Sequence, residues 1–213
     1  MNNYSAIIFP AVLLRRLFRL GYTLLILPAK TFLLSKFWRM KCGKKVTFVG
    51  KTIVRAYERN AITIGDNVQF VSSADKNLVG LVNPTIICAI KGGHISIGDF
   101  TGLSSPVIHA RKSIQIGRYV NVGGNVRIFD HDFHPLEWKD RRPPQKGEKT
   151  RVRPVVIEDD CFIGANAIIL KGTHLGARSI VAAGSVVFGL DVPPDSMVKG
   201  NPASVVKRKQ VLG

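Results

Sequence analysis

IEDDCFIGANAIILKGTHLGARSIVAAGSVV, residues 157–187, decides the fold. Ile157, Ile163, Ile169, Leu175, Val181 and Val187 are all aliphatic and stand six residues apart. Four positions after most of them comes a small residue: Cys161, Ala167, Thr173, Ser179 and Ser185. A period of six suits neither the 3.6 of a helix nor the two of a free amphipathic strand. It suits a triangular coil. Each hexapeptide makes one short flat face and one corner, and three faces close a turn of about eighteen residues. The aliphatic side chain points into the prism and stacks on its counterpart one coil along. The small residue fits the tight interior near the corner, where Gly, Asn or Asp takes the turn. Stacked coils bury a continuous core that no single repeat could bury alone. An ordinary alternating sheet does not hold six aliphatic positions in one phase.

The same grammar runs outward from this block. Ile116, Val122 and Ile128 step by six, as do Ile97 and Leu103, and Ile64 and Phe70. Ile-x-Ile-Gly-Asp/Arg recurs at Ile62–Asp66, Ile95–Asp99 and Ile114–Arg118. The phase breaks between Phe70 and Ile95, between Leu103 and Ile114, and between Ile128 and Ile157. The last break is the longest, and its four prolines and dense charge read as a loop ejected from the scaffold over residues 129–154. Loops on a rigid frame are where function concentrates. The expected organisation is a basic helical segment at 1–45, a parallel β-helix at 46–200 and a basic tail at 201–213. The fold class is all-β with N-terminal amphipathic helices.

The formal charge is +17. It is unevenly placed, because Arg15, Arg16, Arg19, Lys30, Lys36, Arg39, Lys41, Lys44, Lys45, Lys51 and Arg55 all precede the first acidic residue, Glu58. Such a block points to an anionic surface or ligand. No nucleic-acid-binding motif is present. Large apolar residues accompany the cations: Leu13, Leu14, Leu17, Phe18, Leu24, Leu25, Phe32, Leu33, Phe37 and Trp38. Pro10 and Pro28 bound one expected helix, and a second follows to about Met40. The uncharged run Leu20–Ala29 is too short for the roughly 20 apolar residues of a bilayer span. The charges interrupt the apolar run, which a signal peptide would not show. The segment therefore reads as an interfacial anchor on the cytoplasmic leaflet, or as helices packed on the main domain. The expected location is cytoplasmic, peripheral on the inner face of the cell membrane. Cys42, Cys88 and Cys161 are widely spaced and read as buried small hydrophobes of a reducing compartment.

The ejected loop carries His131 and His134 in Asp130-His-Asp-Phe-His-Pro-Leu. Imidazole titrates near neutrality and suits a general base that deprotonates an attacking hydroxyl or amine. Asp130 or Asp132 could fix its tautomer, and backbone N–H groups could hold a developing oxyanion.

From Ile62 to Lys209 the chain resembles the sugar O-acetyltransferases of the hexapeptide-repeat family, including the maltose and galactoside enzymes and those of capsule and lipopolysaccharide synthesis. Two motifs carry the resemblance besides the repeat. One is His134-Pro135-Leu136 followed by Glu137 and Arg141-Arg142. The other is Val192-Pro193-Pro194 … Gly200-Asn201-Pro202-Ala203 with basic residues after it. The resemblance implies left-handed coiling, a homotrimer, no metal, and acetyl-CoA in a groove between neighbouring coils. It points to His134 as base, although one extra residue after Asn125 keeps His131 a rival. It implies pantetheine contacts at the backbone of Ala165 and Ala183, and Lys207 or Arg208 near the CoA phosphates. The family often has Thr-Lys-Asp before Val-Pro; here stands Gly189-Leu190-Asp191, so Lys171, Lys199 or Arg178 would replace the missing lysine.

The reading is an acetyl-CoA-dependent O-acetyltransferase acting on a sugar or lipid-linked saccharide in surface polysaccharide synthesis. Its rivals are N-acetylation of a nucleotide-linked amino sugar, a non-catalytic β-helix scaffold, and nucleic-acid binding through charge. A zinc site from His94, His109 and His174 fits the spacing poorly. Trp138 could stack on a sugar or on adenine, or simply pack in the loop.

Overall fold

The computed structural model describes residues 17–18, 20–142 and 150–207. Three sheets of seven, eight and six strands wrap a triangular prism, and apart from the last strand of the chain each strand pairs in parallel with its counterpart in the adjoining coil. The first face begins at Lys41–Cys42 and ends at Asp191–Val192, and the second begins at Thr47–Gly50. The third face consists of Thr52–Ala56, Thr85–Ala89, Val107–Ala110, Arg127–Phe129, Ile168–Leu170 and Val186–Phe188.

Register explains the hexapeptide pattern. On the first face Ile64, Ile97, Ile116, Ile157, Leu175 and Val192 lie one above another. On the third, Val54, Ile87, Ile108, Ile128, Ile169 and Val187 do the same. All are buried, as are Cys161, Ala167, Thr173, Ser179 and Ser185 at the small positions. In the first coils the second face stacks Phe48 on Phe70, ring centroids 4.6 Å apart and nearly coplanar. The Ile-x-Ile-Gly-Asp motif has its own task. Asp99 accepts the Asp66 N–H at 2.7 Å, and Asp66 accepts the Lys44 N–H. Each such aspartate thus ties a corner amide of the coil below.

The expected phase break between Leu103 and Ile114 is a slip within the coil. It holds the strand Val107–Ala110 with Ile108 pointing inward, so the chain is one residue short at a corner. Two boundaries differ from the expectation. Pro28 does not separate two helices. A π-helical turn, Tyr22–Ile26, runs directly into helix α1, Leu27–Phe37, with Pro28 in its first turn. The wider turn gives the proline ring room, and the first-turn position needs no N–H. Pro10 and the start of the expected first helix lie outside the described residues. The C-terminal tail is partly structured: Ala203–Lys207 pairs antiparallel with Ser196–Gly200 and closes the last coil.

Candidate active site

The ejected loop leaves the third face after Arg127–Phe129. Its base is closed where His131 bridges Val152 and the Arg153 N–H donates to the Asp130 carbonyl at 2.9 Å. Asp130 is fully buried at this corner. Its carboxylate accepts the backbone N–H groups of Arg111, Lys112 and Ser113 at 2.7–2.8 Å. It also pairs with His131 Nδ1 at 2.9 Å. Burial pushes the Asp130 carboxyl up, but the bonds from His131, Arg111 and Lys112 outweigh it and hold the group below its usual range. An ionised carboxylate only accepts, so Nδ1 carries a proton toward Asp130, and in a neutral ring the lone pair lies on Nε2. The Asp130 contact thus fixes the tautomer of the neutral ring.

The His131 ring is buried against Phe133 and His109, with centroids at 4.7 Å and 4.9 Å. His109 comes from the third-face strand one coil below, in register with Phe129. Burial, followed by the neighbouring His131, pushes its pKa down against the pull of Asp130. His109, its charged form disfavoured, thus flanks His131. No motif flagged it; only the coil-to-coil register brings it here.

The remaining expected residues fall elsewhere. His134 is exposed and makes no hydrogen bond among the described residues. Asp132 turns away from both histidines to the half-buried side of the loop, where Lys171 Nζ meets it at 2.5 Å. That pairing occupies Lys171, which also lies 4.7 Å from the Phe188 ring centre. Arg178 is forked onto Asp195 at 2.7 and 2.8 Å. Of the three cations expected to replace the missing lysine, only Lys199 is both exposed and without a carboxylate partner among the described residues. Lys207 pairs through its backbone with Ser196, and Arg208 lies outside the described residues. Trp138 packs under Arg142, 4.3 Å from its ring centre. His174 bridges Glu158 and Asp191 on the first face, far in sequence from the loop. Among the described residues no three His, Cys, Asp or Glu side chains gather as a metal site.

Ala165 and Ala183 share the corner between second and third faces. Gly164 N–H donates to the Val181 carbonyl and Gly184 N–H to the Ala165 carbonyl, yet neither alanine N–H has an acceptor among the described residues. The coils approach closely here: a Cβ on Gly164 would stand 2.4 Å from the Ala183 nitrogen. The corner therefore presents unpaired backbone donors along an open edge, which suits the amide carbonyls of a pantetheine arm.

Comparison with known proteins bears on the repeat and the fold. Residues 154–188 match the family described as the hexapeptide repeat of succinyl-transferase. A hexapeptide-repeat acetyltransferase from Vibrio cholerae, solved with acetyl-CoA, is 26% identical, covers 88% of this chain and 81% of its own, and gives a TM-score of 0.58. The chain has the left-handed β-helix fold, and its repeat is similar to that of the hexapeptide-repeat acetyltransferases. An N-acyltransferase from Bacillus cereus, solved with dTDP and 3-hydroxybutyryl-CoA, shares the fold at 20% identity and a TM-score of 0.64, over 85% of this chain and 90% of its own. A 2,3,4,5-tetrahydropyridine-2,6-dicarboxylate N-acetyltransferase of Staphylococcus aureus is 51% identical over 61 residues, 29% of this chain. The chain spans about a quarter of the length of such curated relatives, 25% of that one.

Proposed function

We propose that this hexapeptide-repeat protein transfers acetyl from acetyl-CoA to a sugar hydroxyl, with His131 as general base and Asp130 as the residue that holds its tautomer. The observation that carries the proposal is the buried Asp130–His131 pair at 2.9 Å, at the root of a loop on the third face. His131 Nε2 takes the hydroxyl proton as the oxygen attacks the thioester carbonyl. The C–S bond then breaks, the imidazolium returns the proton to the sulfur, and the products are an acetyl ester and CoA thiol. A sugar hydroxyl is a poor nucleophile until its proton leaves, so it needs such an oriented base. Burial and pairing favour His131 over the exposed His134 for this task.

The free N–H groups of Ala165 and Ala183 support their role as donors to pantetheine. Outward residues of the third face support a homotrimer: Ile86, Val107, Ile168, Leu170, Val186 and Phe188 are apolar. Their first-face counterparts include Thr63, Ser96, Gln115, His174 and Asp191. A face whose outward side chains are mostly apolar, with Arg55, His109 and Arg127 among them, fits burial against another copy.

N-acetylation is the second reading, favoured by the 51% identity to an N-acetyltransferase over 61 residues. The deciding experiment is CoA release from acetyl-CoA with hydroxy sugars, amino sugars and lipid-linked saccharides as acceptors. Release with hydroxyl acceptors alone supports the proposal. Release confined to amino sugars replaces it with the second reading. No release together with no acetyl-CoA binding leaves a scaffold.

A further inference from the structure

Among the described residues no coil lies beneath the first one, so its outer carbonyls need donors. Helix α1 supplies them. Lys30 Nζ donates to the Phe48 carbonyl at 2.9 Å and to the Gly50 carbonyl, and Thr31 Oγ1 donates to the Val46 carbonyl at 3.0 Å. Leu27 is buried on the same side, and Leu34 and Trp38 pack on the core. The inward side of the helix thus carries its hydrogen-bonding residues as well as apolar ones. The outward side of α1 and of the π-turn before it carries Leu25, Leu33 and Phe37, which are 65–76% exposed. That is the reverse of a helix meant to face water.

The rim of this patch is cationic. Lys36, Arg39, Lys41, Lys44, Lys45 and Lys51 are all exposed, and no Asp or Glu precedes Glu58. A second copy placed over the patch would set cation against cation. A surface with apolar depth and negative headgroups complements both features. Among the described residues no helix is long and apolar enough to cross a membrane, so the fitting geometry lies along a surface.

We propose that this end of the prism rests on an anionic lipid surface, with the outward α1 side chains among the acyl chains and the basic rim at headgroup level. The arrangement also narrows the acceptor, a step that rests on the transferase reading above. His131 follows the fourth strand of the third face, three ladder spacings beyond the coil that α1 covers. At about 4.8 Å per spacing, the base stands on the order of 15 Å above that coil. Such a height fits a saccharide tethered to lipid, acetylated a few sugar units from its anchor.

The test is sedimentation of the full chain with vesicles of phosphatidylcholine, with and without phosphatidylglycerol. Wild type should bind the anionic vesicles about tenfold or more tightly than the neutral ones. Replacing Leu25, Leu33 and Phe37 together by Ser, or Lys41, Lys44 and Lys45 together by Gln, should weaken that binding by about tenfold. Both variants alter exposed side chains and should keep wild-type size and acetyl-CoA binding. Equal binding of wild type to both vesicle types, or unchanged binding of both variants, overturns the proposal. So does a change of oligomeric size in the Ser variant, which would assign the patch to a second copy. Vesicle binding is measured without substrate, so failure of the transferase reading leaves this result standing.

Discussion

Asp130 organises the site at the scale of single residues, because one buried carboxylate meets three backbone amides and an imidazole. Its folded pKa lies below the ordinary value. The stability it contributes is present above about pH 4 and is lost as pH falls through the folded value. Asn at this position has one acceptor oxygen where Asp has two. Asp130→Asn should lower stability by about 1–3 kcal/mol at pH 7 and flatten its decline in acid, as read from urea midpoints across the acid range. His109 acts at milder pH. Its folded pKa is depressed by burial first and by His131 next, so the unfolded chain binds more protons just below about pH 6.5. The His109 contribution should therefore fall as pH drops below about 6.5, against the opposite contribution of His174, whose pKa Glu158 raises, and His109→Gln should remove the His109 part of the slope. An unchanged slope in that variant would show that His109 is not a source of it.

At the scale of elements, the ladder sets the costs. Ile169 is fully buried between Ile128 and Val187 of the adjoining coils. Ile169→Ala should destabilise by about 2–5 kcal/mol. Gly164→Ala places a carbon 2.4 Å from the Ala183 nitrogen, so the coils must part at the proposed pantetheine edge. Its calorimetric melting temperature should fall, and acetyl-CoA affinity should weaken more than tenfold by titration, since donors on that edge are displaced. Most of this framework was legible in the sequence, because a six-residue period has one geometric solution and Ile157 to Val187 keep it without interruption. The candidate site was legible only in part. Asp130, His131 and His134 stand together in the chain, but burial separates the paired His131 from the exposed His134, and burial depends on how the loop closes against Val152. His109 and Lys171 reached the loop through coil stacking, which no local motif records. The run through Pro28 was hidden for another reason: a π-turn absorbs a proline that single-residue rules read as a break.

At the scale of the whole molecule, the +17 charge and the exposed apolar residues of α1 and the third face are what the membrane and trimer proposals rest on. The trimer proposal predicts three-chain particles in sedimentation-equilibrium experiments. Replacing Ile168 and Leu170 together by Glu should give monomers that lose transfer activity; a wild type that sediments as a monomer would refute it. The account stands most directly on one measurement, acetyl ester formation from acetyl-CoA by wild type, His131→Ala and His134→Ala at saturating acceptor. His131→Ala should lose about 10²–10⁴-fold in kcat while still binding acetyl-CoA, and His134→Ala should stay within a few-fold of wild type. Full activity in His131→Ala, or collapse in His134→Ala alone, would contradict it.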